Sequence, residues 1–162
     1  MIRFGLVLMM AVTGMAAAEE LLENPQFKEG FEEPWRLHLH RPEYGTKVAE
    51  PKVASDGDEL PVLSVGVPHA SAGHYIMVGQ PVALTDGVTY AVRFEAKYDG
   101  EPGGHLGIVT NAESKPWTNN GISKKIPVDS GWQRIEGRFT AKSVDPENGP
   151  VLRFTLGDLK GR

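Results

Sequence analysis

The sequence predicts an all-β fold, a two-sheet β-sandwich of jelly-roll type, and three observations point there. Glycine (19 residues) and proline (12) interrupt the chain of 162 residues at short intervals, and these are the residues that turns and strand ends require. Many of the runs between them alternate apolar with polar side chains, the period of a strand with one buried face. Almost no stretch keeps the helical period.

Taken in order, the chain opens with MIRFGLVLMMAVTGMAAAEE. Arg3 precedes an apolar run from Phe4 to about Met15, and Ala16, Ala17 and Ala18 stand before two acids. That is the layout of a secretory signal peptide over residues 1–18, too short and too lightly flanked for a membrane anchor. Cleavage after Ala18 would leave 144 of the 162 residues, enough for one domain over 19–162 with its own core. No second segment is apolar enough to span a bilayer, so the expected product is secreted, extracellular or periplasmic.

The strands expected next run from Trp35 to His40, Thr46 to Ala54, Val62 to Val67, His74 to Val82 and Val88 to Tyr98. Four more run from Leu106 to Asn111, Ser123 to Val128, Gln133 to Ala141 and Val151 to Leu156. About nine short strands at this spacing fit a sandwich or jelly roll. Their alternation shows the buried side. In TYAVRFEAKY, Tyr90, Val92, Phe94, Ala96 and Tyr98 share one face, and Arg93, Glu95 and Lys97 the other. In VLRFTLG, Leu152, Phe154 and Leu156 point inward and Arg153 and Thr155 outward. No repeat, low-complexity tract or linker divides the chain.

Charge and chemistry exclude several functions. Without Arg3, 16 basic residues face 21 acidic ones, a net charge of about -5 with histidine neutral, and no Lys/Arg cluster stands out. Neither nucleic acid nor an anionic membrane is an expected partner. Cysteine is absent, which removes a disulfide framework and thiol chemistry. There is no G-x-S-x-G elbow, Gly-rich phosphate loop or H-E-x-x-H helix, and no acid sits in a recognisable glycosidase frame.

Four stretches in order carry a resemblance. NPQFKEGFEEPW resembles the N-x-x-F-E-x-G...W opening of carbohydrate-binding modules of the family 4/9 and 22 type, and GQPVALTDGVTYAVRFEAK is similar to their Q-x-v-x-L-x-x-G-x-x-Y-x-x-x-F-x-A-K segment. SGWQRIEGRFTA is similar to their W-q-x-y-x-x-x-F-t strand, and LRFTLG to the strand after it. Together they cover Asn24 to Gly157. The resemblance implies a galactose-binding-like jelly roll that grips a glycan and performs no chemistry. Its partner would be a polysaccharide such as a β-glucan or xylan, and a catalytic partner domain or protein is a second candidate partner. The family's Trp positions assign Trp35 and Trp132 to the core. Where the family often has a glutamate ligand for a structural calcium, this chain has Lys28 followed by Glu29, and it stops at GDLKGR where members carry a further strand with another ligand. The chain is then a jelly roll that lacks its last strand or closes its sheet differently.

Candidate site residues follow from what sugars need: aromatic faces for the C–H side of the ring, and amides, carboxylates or arginines for its hydroxyls. Trp117 in SKPWTNNG, Tyr75 in GHYIMVGQ and Tyr44 are candidate platforms. Gln80 matches a family glutamine that often faces the groove, and could equally satisfy buried backbone groups. Arg93 and Glu95 lie on one solvent face that is either the groove or a plain charged surface. His38 and His40, at i and i+2 in PWRLHLHRPEYG, project from one side of a strand. They could line a sugar groove, be simply exposed, or chelate a metal as in cupins. Glu43 comes too early for the first cupin motif, and His105 follows Gly104 too closely for the second, so the spacing favours a sheet face over a metal site. The expectation is a non-catalytic polysaccharide-binding domain. A structural or protein-binding jelly roll without sugar affinity, or a cupin-like metal-dependent enzyme, are the alternatives.

Overall fold

The computed structural model describes residues 1–11, 20–40, 49–55, 61–67 and 72–159. Among them ten strands form: β1 (Ile2–Ala11), β2 (Arg36–Leu39), β3 (Ala49–Ser55), β4 (Pro61–Gly66), β5 (Ile76–Pro81), β6 (Thr89–Tyr98), β7 (His105–Ala112), β8 (Asn119–Pro127), β9 (Gln133–Thr140) and β10 (Pro150–Thr155). A single 3-10 turn, Gly73–Tyr75, precedes β5. Every predicted strand is present. Thr46 lies outside the described residues, and β8 starts earlier than expected because Asn119 continues the ladder with Asn111.

The strands make two five-stranded antiparallel sheets, β3-β4-β1-β6-β9 (sheet A) and β2-β5-β10-β7-β8 (sheet B). Each has the predicted wet and dry sides. On β6, Tyr90, Val92, Phe94, Ala96 and Tyr98 are buried, and on β10 so are Leu152 and Phe154. Phe154 of sheet B meets Phe4 at 5.0 Å and Phe94 at 4.9 Å between ring centroids, so three phenylalanines clamp the sheets at mid-sandwich. Inclined ring pairs of this kind add to the burial of apolar area that holds the layers together.

Residues 2–11 form β1 and lie between β4 and β6. Sheet A is thus closed by the amino-terminal segment. Its buried side chains are Ile2, Phe4, Val7 and Met9, a pattern that breaks strict alternation between Phe4 and Val7. The pairing explains it: Phe4 faces Ala96 but Val7 faces Phe94, so one extra residue is accommodated in a bulge. That shift returns the odd positions to the core side. One expectation is corrected, the place of Trp132 in the core. That residue is 39% exposed on the outer face of sheet A, with the Lys97 ammonium 4.9 Å from the ring centroid. Trp35 is buried as expected and donates its indole N–H to the carbonyls of Glu23 and Asn24.

Candidate functional site

The outer face of sheet B is organised by register. Two rows cross its five strands: Arg36, Gly79, Arg153, Val109 and Ser123, and next to them His38, Met77, Thr155, Gly107 and Lys125. The inward neighbours Val78, Leu152, Phe154 and Ile108 are buried, which fixes these rows as the outward set. Glycine occurs once in each row. A Cβ on Gly79 would overlap the Leu152 carbonyl oxygen, and one on Gly107 would overlap the Thr155 hydroxyl. Both positions therefore keep the floor low.

Over Met77 and Arg153 of these rows runs a groove of about 620 Å³ between two walls. One wall is aromatic and comes from β2 and the 3-10 turn. The ring centroids of His38 and His40 are 6.5 Å apart, those of His40 and His74 5.8 Å, and those of His40 and Tyr75 5.5 Å. The His40 N–H donates to the Tyr75 carbonyl at 2.8 Å, which ties the turn to the end of β2. The other wall is the connection between β7 and β8, which carries Trp117. Its indole is 49% exposed, and the residue sits at φ 50, a left-handed conformation that a bulky residue seldom adopts. The connection is held by backbone bonds from Trp117 N–H to Ser114 O and from Ala112 N–H to Thr118 O. Asn148 pins it further by accepting from the N–H and hydroxyl of Ser114. Trp117 is thus presented by a braced turn.

Between the walls lies Arg153. Its guanidinium is half-buried and donates through Nη1 to the Asn111 side-chain oxygen and to the carbonyls of Asn111 and Ala112, and through Nη2 to the Glu113 carbonyl. Burial pulls its pKa below the ordinary arginine value, Glu113 opposes that, and the group remains a cation. His38 is held below the ordinary imidazole value by burial first, then by Arg153 and by His40. Glu113 accepts from Arg36 at 3.4 Å across the mouth of the groove, where a smaller pocket of about 160 Å³ continues it over Gly79.

The predicted site residues divide. His38, His40 and Trp117 line the groove, and Tyr75 packs its ring against that of His40. Gln80 does not join them through its side chain: it is 1% exposed, accepts from the Glu23 N–H and donates to the Glu23 carbonyl, both at 3.2 Å. Of its two readings, the structure supports the satisfaction of backbone groups. Arg93 and Glu95 sit on the outer face of sheet A, away from the groove, and Arg93 pairs with Glu136 at 2.8 Å. Tyr44 and Glu43 lie outside the described residues. The sequence reading missed Arg153 and His74 as site residues. Arg153 was legible only as an outward residue, and nothing local shows that β10 is the central strand of its sheet.

The residues expected near a structural calcium do not fit one. Asn24 spends its side chain on the loop itself, accepting from the Glu29 N–H and donating to the Gly30 carbonyl, and Lys28 is exposed. Among the described residues no group of three or more His, Cys, Asp or Glu side chains is placed to hold a metal ion, the histidine pair included.

Two solved structures share this architecture. A family 4 carbohydrate-binding module superimposes with a TM-score of 0.62 at 19% identity, over 85% of this chain and 90% of that one. The N-terminal cellulose-binding domain of β-1,4-glucanase C from Cellulomonas fimi does so with a TM-score of 0.52 at 17% identity, over 78% of each chain. No family model and no curated protein matches the sequence. The fold is the two-sheet β-sandwich of a family 4 carbohydrate-binding module.

Proposed function

We propose, from the fold it shares with family 4 carbohydrate-binding modules, that this chain is an exported, non-catalytic domain that binds a polysaccharide of the β-glucan or xylan type. The groove on sheet B is the binding site. The observation that carries the reading is the braced, half-exposed Trp117 facing a wall of aromatic rings across Met77 and Arg153. A pyranose laid in such a groove can stack its C–H face on the indole while its hydroxyls reach His38, Asn111 and Glu113. Its polar groups are held before the ligand arrives, which lowers the cost of ordering on binding. Arg36 and Glu113 form an exposed pair worth little to stability, so they are free to exchange partners with a sugar.

No pair of carboxylates faces across the groove, where Glu113 is the single acid among its described lining residues. Glycoside hydrolysis by two carboxylates has no counterpart there. Affinity electrophoresis of the purified protein through gels containing soluble β-glucan, xylan or other polysaccharides tests the proposal. Retardation by at least one of them, lost in Trp117→Ala, is the expected result. Retardation by none would refute it and favour a protein-binding jelly roll.

A further inference from the structure

The charge inside the groove differs in sign from that of the chain around it. The whole chain carries a net charge of -4 with histidine neutral, yet on the same count Arg153 and Arg36 line the groove and its continuation against Glu113 as the one acid among the described residues, with His38, His40 and His74 beside them. That acid is engaged by Arg36 at 3.4 Å. A local cationic patch on an acidic protein favours an anionic ligand at that place.

Arg153 adds the geometry. A guanidinium has five N–H groups, and Nη1 and one N–H of Nη2 are committed to oxygens at the end of β7. Among the described residues its Nε–H makes no hydrogen bond, and no carboxylate lies within ion-pair distance of it. The Nε–H and the second Nη2–H share one edge of the planar group and leave a two-donor fork that matches the two oxygens of a carboxylate.

We propose that the groove takes a polysaccharide bearing carboxylate groups, a uronate-containing β-linked chain, and that Arg153 is the residue that meets the carboxylate. This rests on the polysaccharide-binding reading above and narrows its substrate class. His38 sets a pH dependence. The groups around it are Arg36 and His40 from its own strand, Arg153 from β10, Glu113 after β7, and His74 with Tyr75 from the turn; β5 contributes the uncharged Met77. In the free protein burial first, then Arg153 and His40, disfavour its protonated form. A bound carboxylate offsets that repulsion, so proton uptake accompanies binding and affinity rises as pH falls.

Carboxymethylcellulose and hydroxyethylcellulose share a β-glucan backbone and differ in charge, so titration of the protein with each at low ionic strength provides the test. We expect the carboxylated polymer to bind at least roughly ten-fold more tightly, with a larger advantage at about pH 5.5 than at about pH 8. Arg153→Gln should shrink the ratio to under about two-fold, while Arg93→Gln, which removes the same charge from the outer face of sheet A, should leave it intact. Should Arg153→Gln fail to fold, His38→Asn with His40→Asn tests the same face through loss of the pH dependence. Equal affinity for both polymers overturns the acidic-glycan inference and leaves the binding module standing. Polyglutamate binding as tightly as carboxymethylcellulose overturns it too, by showing an unspecific anion patch. If neither polymer binds and no neutral glycan does, the broader reading falls with it.

Discussion

Replacing Trp117 by alanine separates the two things an exposed tryptophan can do. A tryptophan offers up to about 250 Å² of surface, and 49% of this one is exposed. If a sugar ring covers about half of that exposed part, some 60 Å² leaves water, worth about 1.5 kcal/mol at 25 cal/mol per Å². Trp117→Ala should therefore weaken glycan binding by roughly ten-fold. The half already packed on the turn sets an upper bound of about 3 kcal/mol on the loss of stability, and the compact denatured chain lowers the real cost below that. Trp117→Gly gives a second reading. At φ 50 glycine relieves the left-handed strain that alanine keeps, so it should be the more stable of the two variants by up to about 1 kcal/mol with the same loss of affinity. Titration calorimetry and thermal melts on both variants supply the numbers. A stable Trp117→Ala protein with unchanged affinity would remove the indole from the site and refute the argument from exposure.

Three further outcomes follow from the same structure. Gln80→Ala leaves the Glu23 N–H and carbonyl without their partner and should cost about 2–3 kcal/mol in denaturant unfolding, with glycan affinity altered by less than about two-fold; a ten-fold loss of affinity in a folded variant would return Gln80 to the site. Chelation should move the melting temperature by under about 2 °C, because Asn24 is spent on its own loop, whereas a fall of about ten degrees would reveal a calcium site. A chain beginning at Glu19 lacks the four buried side chains of β1, each worth about 1.5–3 kcal/mol, which together rival the whole stability of an ordinary domain. It should melt broadly and at much lower temperature than the full chain, and an equally sharp transition at the same midpoint would show that sheet A does not depend on β1.

What was legible in the sequence was whatever depends on neighbouring residues. The alternation in TYAVRFEAKY fixes its own buried face, because side chains on a strand alternate whatever it pairs with, and Trp117 could be picked out because its surroundings lack an apolar period. Strand order across a sheet has no local signature. That is why Arg93 and Glu95 were grouped with the histidines they never meet, and why Arg153 passed as an ordinary outward residue. Trp132 was misplaced for a related reason: a motif position says which residue type recurs, not which side of the sheet faces solvent here. The amino-terminal run carries an ambiguity of the same kind, since an apolar segment reads the same as a leader and as a strand buried in the sandwich.

The central place of β1 has a consequence in time. Its neighbour in the chain's own order of synthesis is far away: Ile2 pairs with Tyr98 and Val7 with Phe94, so about 90 further residues must be made before the ladder with β6 can zip. At about 5–20 residues per second that interval is roughly 4 to 18 s. β4, whose Val65 pairs with Ile2, is made earlier, so β1 can hold one partner while it waits for the other. Once β4 and β6 have closed on either side, the segment can be withdrawn only by opening two ladders at once.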